Sequence, residues 1–258
     1  MNVGRNSMKI CWLLENVHKT EFTKMVLAIG DSGFDSMHWN PEWDSQNDLQ
    51  VLRNFNVNTL YIFWGSLNVA HRLYLMHRNI ISFCAVKEFA CSSFYLAAKE
   101  WILNKDWNYS TAIETVGKGP LFIRPDDALK SFSGRVLNKI SLKELDFGVH
   151  FQDQNLPVIT SSVKSLPPDE WRFVIVRDRV ITGSPKFYGS DVIESFRARE
   201  FADRAVKSFC APEMVWTIDV CKYKGAFYII EANPFSGAQL YESDMKAIIK
   251  EVSSIVNW

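Results

Sequence analysis

The apolar positions of this chain fall into two textures. In the first, short continuous apolar runs alternate with stretches of helical spacing. Lys9 to Leu14 (KICWLL) fits a strand buried on both faces, and Glu21 to Ile29 then sets Phe22, Met25, Val26 and Ile29 at helical spacing. Gly30 to Ser45 is rich in Gly, Asp, Asn and Pro and reads as turns, after which Asn58 to Trp64 (NTLYIFW) resumes as a strand. Ile80 to Val86 predicts a further strand. Tyr95 to Leu103 predicts a helix that the polar segment Asn104 to Ser110 ends. This is an alternating α/β lobe over residues 1–111, with residues 1–7 a loose polar tail before Met8, itself a candidate start.

From Gly119 onward strand follows strand: Pro120 to Arg124, Arg135 to Ile140, Leu156 to Val163, Trp171 to Val176 and Val180 to Ser184. The last two form a hairpin around Asp178-Arg179. Glu194 to Phe209 has helical spacing and is stopped by Pro212. A second hairpin joins Val215 to Tyr223 with Ala226 to Ala232 through Lys224-Gly225, and Glu242 to Ile255 closes as a helix. The fold class is therefore α/β, turning to α+β over residues 112–258.

Composition narrows the partners. Lys plus Arg equals Asp plus Glu at 29 each, so bulk electrostatics gives no reason to expect nucleic acid. An apolar share of 47% with 18 Phe and 9 Trp predicts a dense core. No apolar run is long enough for a membrane span and the N-terminus lacks a secretory layout, so a soluble cytoplasmic protein with no membrane partner is expected. Five Cys form no CxxC pair and are odd in number, which suits reduced, mostly buried side chains. His71, His77 and His150 follow no zinc-ligand spacing. GxxxxGK[ST] and GxGxxG are both absent, and Ser184 and Ser236 lack a nucleophile-elbow context.

The chemistry-bearing segment is WTIDVCKYKGAFYIIEANPFSG, Trp216 to Gly237. Glu231 and Asn233 are two apart on one strand and so share a face, and a hairpin at Lys224-Gly225 sets Asp219 near Glu231. Two facing carboxylates repel unless a cation joins them, and oxygen ligands suit Mg²⁺. The alternative from spacing alone is that Asp219 and Glu231 lie on the solvent face of an edge hairpin.

An Asp on one strand followed by E-x-N-P (Glu231-Ala232-Asn233-Pro234) resembles the metal-binding end of ATP-grasp enzymes. FIRPDDALKSFSGRV, Phe122 to Val136, is similar to the strand and Lys-bearing loop of a small ATP-grasp clade of phage and bacterial proteins marked by two arginines and a lysine. DEWRFVIVRDRVITGSPKF, Asp169 to Phe187, resembles that clade's central hairpin. The resemblance spans about Gly119 to Gly237. It implies an ATP-grasp fold with an N-terminal α/β pre-grasp lobe, residues 1–111, on the acceptor side, and an ATP-binding unit over residues 112–258. It further implies ATP and Mg²⁺, with Asp219, Glu231 and Asn233 on the metal, Lys130 on the α- and β-phosphates, Arg124 on phosphates or an anionic substrate, and Arg172 at the γ-phosphate and acylphosphate. Arg172 and Arg124 are the catalytic candidates. Lys186 is a further phosphate candidate, and the adenine hinge falls at Thr160 to Val163, with Ser162 in the nucleotide site. Singly, Arg124 could pair with Asp126 or Asp127 at a strand end, and Arg172 with Glu170 or Asp178.

The implied activity is ADP-forming ligation of a carboxylate to an amine or thiol through an acylphosphate, the acceptor being a small molecule, peptide or protein. The aromatic run Tyr61 to Trp64 could line the acceptor side or pack the core. Certain eukaryotic translation-factor assembly proteins resemble the same clade, so an ATP-binding assembly chaperone or regulatory protein without turnover is the second expectation. Kinase-like phosphorylation of a small molecule is a third.

Overall fold

A computed structural model describes residues 8–76, 79–141, 155–165, 169–187, 189 and 191–256; the tail over residues 1–7, His77 and His150 lie outside them. The first sheet is parallel, in the order β2 (Asp35–His38), β1 (Lys9–Leu14), β3 (Thr59–Trp64), β4 (Ile80–Ile81). Its central strands are covered on both faces, which is why they read as unbroken apolar runs. Ile10, Trp12, Leu14, Ile62 and Trp64 pack with α1 (Lys19–Asp31) and α6 (Met245–Ile255). Cys11, Leu13, Tyr61 and Phe63 point the other way, onto Trp39, Trp43 and α3 (Leu67–Met76). The aromatics of Tyr61 to Trp64 are thus core residues.

The second sheet is antiparallel, in the order β10 (Arg179–Pro185), β9 (Glu170–Val176), β11 (Val215–Tyr223), β12 (Ala226–Pro234). One face, with Trp171, Phe173, Ile175, Trp216, Ile218 and Val220, packs against α5 (Val192–Val206). That helix begins at Asp191, whose carboxylate accepts from the Ile193 and Glu194 amides. The other face starts apolar, with Val174, Val176 and Val215 against α6. It then turns polar through Arg172, Asp219 and Asn233.

A β-bulge decides what that polar face carries. From the turn upward the pairs run Tyr223 with Ala226 to Val220 with Ile229, and then shift, so that Asp219 faces Glu231 and Thr217 faces Asn233. Ile230 is the extra residue. Were Ile230 paired instead of bulged out, Glu231 would oppose Ile218 and point into the α5 core, because a one-residue slip reverses every side chain on a strand. The turn itself has φ of 49° at Lys224 and 82° at Gly225, the left-handed pair a two-residue hairpin prefers.

The third sheet has the order β5 (Asn108–Thr111), β8 (Pro157–Ser161), β6 (Leu121–Pro125), β7 (Arg135–Leu137), all antiparallel. Before it in the chain comes α4 (Cys91–Ala98), which packs into the core of the second sheet and whose Ser92 amide and hydroxyl both donate to Asp126 beyond β6. Some elements differ from the sequence expectation. β2, a second short helix α2 (Asp48–Leu52) and α3 occupy stretches left as turns or unassigned. α4 starts four residues before the helix expected at Tyr95 and ends at Ala98, where Lys99 takes a φ of 37°. Asn108 to Thr111, expected as a polar linker, is a strand because it pairs with β8. Four cysteines are buried and reduced, whereas Cys210 is exposed.

Candidate functional site

The polar face of the second sheet carries two carboxylates, each met by its own pair of cations. Asp219 is wholly buried. Arg172, its neighbour across β9, grips it in a two-pronged pair, Nε to Oδ1 at 2.6 Å and Nη2 to Oδ2 at 2.7 Å. Lys186, just beyond β10, adds Nζ at 2.9 Å from Oδ2 and also pairs with Glu170. Burial opposes charge on Arg172, but Asp219 outweighs it and holds its pKa above the ordinary value. Burial and the Asp219 charge push Glu170 the other way, above the usual carboxylate value.

Glu231 is served from the third sheet. Arg124 on β6 donates through Nη2 to Glu231 Oε1 at 2.8 Å, and Lys130 in the following loop lies 2.9 Å from the same oxygen. Burial pushes this carboxyl up, but the two cations pull it well below the usual range. These ion pairs cross from one sheet to the other. The alternative partners fall elsewhere, since Asp126 bonds Ser92 and Asp127 bonds Ser131.

Between the two sheets is a cavity of about 430 Å³. Leu103, Phe122, Phe132, Val136 and Ile230 line it with apolar surface, and Arg124, Lys130, Lys164 and Lys186 with positive charge. Glu231, Glu170 and Ser162 complete the wall. The Ser162 amide is engaged by Asp106 at 2.9 Å, and Lys164 bonds the same carboxylate at 2.7 Å. Among the described residues, one cavity-lining side chain has a buried polar atom without a partner, Arg124 Nε, and on the polar face of the second sheet Asn233 Nδ2 and Thr217 Oγ1 also lack one. An orphaned buried donor costs roughly 1–3 kcal/mol, so the unpartnered Arg124 Nε in the cavity wall fits a ligand that brings an acceptor.

The arrangement therefore brings together Arg124, Lys130, Arg172, Lys186, Asp219 and Glu231, with Asn233 opposite Thr217 on the same face and Ser162 at the cavity edge. Among the described residues no group of three His, Cys, Asp or Glu side chains gathers to hold a metal. An amide ligand such as Asn233 would have to serve as a third. Three participants escaped the sequence reading. Glu170 is two residues before Arg172 and shares its face, a spacing that could have been read. Thr217 bears the same relation to Asp219. Tyr241, over whose ring the Arg172 guanidinium sits at 5.4 Å, lies in a loop that spacing says nothing about.

Two sheets closing on an amphipathic, cation-lined cavity define an ATP-grasp fold, and solved structures with that fold match nearly the whole chain. The RimK domain ATP-grasp protein of Sphaerobacter thermophilus aligns with a TM-score of 0.57 at 10% identity over 93% of this chain and 98% of its own. D-alanine–D-alanine ligase of Bacillus anthracis gives 0.55 at 12% over 96% and 92%. The ATP-grasp ligase PsnB, complexed with a minimal precursor, gives 0.53 at 11% over 95% and 98%. The chain belongs to an ATP-grasp domain family, the second family of the clade named for its two arginines and a lysine, whose model matches residues 98–250, more than half of its length. No curated protein matches by sequence.

Proposed function

We propose that the chain is an ADP-forming, Mg-ATP-dependent ligase that joins a carboxylate to an amine or thiol through an acylphosphate. The observation that carries this reading is the convergence of Arg124, Lys130 and Lys186 on one cavity, where the buried Arg124 Nε has no protein acceptor. A polyanion with a flat apolar head suits such a lining. Arg124 and Lys130 take its phosphates, Lys186 faces the transferred group, and Ser162 lies on the side of the base.

Glu231 and Asn233 fit a hard cation. They are two apart on β12, and the Asn233 nitrogen has no partner. Asp219 already holds Arg172 and Lys186, so it completes the set when Lys186 turns to the nucleotide. When bound, Mg²⁺ neutralises phosphate charge and orients the leaving group. In the reaction a carboxylate oxygen attacks the γ-phosphorus, the bond to the bridging oxygen breaks and ADP leaves with its electrons. The amine nitrogen then attacks the acyl carbon, phosphate departs, and the amine proton passes to solvent. Arg172, oriented by Asp219 and by the Gln239 carbonyl at 3.0 Å, stabilises the charge that builds on the acylphosphate.

Calorimetry of AMPPNP binding with and without Mg²⁺ tests the site. Glu231→Gln is expected to remove the Mg²⁺ dependence, and Lys130→Ala to weaken binding about tenfold, the worth of one charged contact. Mg²⁺-dependent binding that persists in Glu231→Gln would sink the metal assignment. ADP release on offering carboxylates with amines separates a ligase from a protein that only holds ATP.

A further inference from the structure

A second cavity, of about 330 Å³, lies on the other side of Lys186. It is bounded by the start of α1 (His18 to Lys24), by Pro185 to Phe187 after β10, and by Gln239, Tyr241 and Glu242 before α6. Lys186 lines both cavities. The far wall is pinned from the first lobe: Glu21, buried in α1, accepts the amides of Leu240 at 3.0 Å and Tyr241 at 2.7 Å. Tyr241 is kept at a φ of 52°, a left-handed conformation that costs a non-glycine residue roughly 1–2 kcal/mol. The same loop supplies the Gln239 carbonyl to Arg172. The first lobe thus shapes a pocket whose wall reaches the guanidinium at the centre of the site.

The charges of this pocket are mostly committed. Lys24 pairs with Glu242 at 2.7 Å, Lys186 with Asp219 and Glu170, and one oxygen of Glu21 with the two amides. Among the described residues Lys19 has no carboxylate partner. A phosphoryl acceptor must sit in line with the donor, so an acceptor pocket must share a wall with the phosphate cavity.

We propose that this second cavity seats the carboxylate substrate, and that the substrate carries a second anionic group: one carboxylate meets Lys186, where it is phosphorylated, and the other is read by Lys19. This rests on the nucleotide reading above and names the substrate class, a small dianion or an acidic side chain, that this site takes. A volume near the lower end for ligand pockets suits a body of that size.

The test is calorimetric titration of the α,ω-diacids succinate, glutarate and adipate, and of the monoacids of equal length, into protein saturated with Mg-AMPPNP. At least one diacid is expected to bind about tenfold tighter than its monoacid, as one charge-assisted contact gives. Lys19→Ala should erase that preference, and Thr20→Trp, which narrows the cavity from an exposed position, should abolish binding of every acid. Neither variant should move AMPPNP affinity. No diacid preference in the wild-type protein, or a preference that survives Lys19→Ala, overturns the assignment of the dianion. Acid binding unaffected by Thr20→Trp overturns the cavity itself. If the wild-type protein fails to bind AMPPNP, the nucleotide reading falls instead.

Discussion

Asp219 has no solvent exposure, and Arg172 and Lys186 stand against its carboxylate where water would otherwise be. Such a buried pair contributes little net stability, but removing one partner strands the other and costs about 3–5 kcal/mol. Arg172→Met is therefore expected to destabilise the fold by about 3 kcal/mol, Lys186 sparing part of the loss. Adding Asp219→Asn to that variant should recover part of it. Urea unfolding of the two single variants and the double one measures the coupling, and simple additivity would contradict the pair. One consequence is practical. Asp219→Asn alone perturbs the fold as well as any metal, and Glu231→Gln loosens its pairs with Arg124 and Lys130, so the metal question is asked most cleanly at Asn233, whose amide nitrogen has no partner. Glu231 behaves differently with pH, because its folded value lies below the ordinary one. Its stabilisation is present above the ordinary carboxylate value and is lost only as pH falls through the lower folded value.

At the level of elements, the hairpin of β11 and β12 shows both what the sequence discloses and what it hides. That Asp219, Glu231 and Asn233 lie on neighbouring strands is legible from runs of apolar residues around Lys224-Gly225. That they share a face is not, because an unbulged pairing from that turn would send Glu231 toward α5. The bulge depends on what each register buries, a property of the folded sheet. Inserting one alanine after Ile230, with the bulge kept at one residue, should set Glu231 opposite Ile218, turn Asn233 toward α5, and abolish both AMPPNP binding and a cooperative urea transition, whereas deleting Ile230 leaves Glu231 opposite Asp219 and should preserve them. Ile230→Ala, which keeps the count, should retain both. Other elements were hidden for the same reason. β2 (Asp35–His38) has a polar sequence that is a strand because β1 offers it a parallel edge, and β5 is a strand because β8 does. By contrast β1, β3, β9 and α6 are legible because burial on one or both faces writes their period into the chain.

For the whole molecule, one core cluster joins the first lobe to the C-terminal part of the chain. Trp12 on β1 donates to Ser253 on α6 at 3.1 Å, and Glu213 before β11 accepts the Ala85 amide at 3.1 Å. Burial raises the pKa of Glu213 to about 7, with Glu88 adding to the rise. Because this carboxyl titrates higher when folded, its ionisation costs stability as pH climbs from near 4.5 through 7, and costs nothing below that window. Glu213→Gln keeps an acceptor for Ala85 and should raise stability by about 1–2 kcal/mol at pH 8 with no gain at pH 4. Thermal unfolding across that range reads the difference. No helix among the described residues is long and apolar enough to cross a membrane. The bond from Trp12 to Ser253 bears also on the order of events during synthesis. The side of β1 that carries Trp12 is translated early, but its cover, α6, is made only after the intervening elements. Until then the nascent chain presents an oily ledge to the ribosome exit and to any chaperone there, so the lobe made first is finished last.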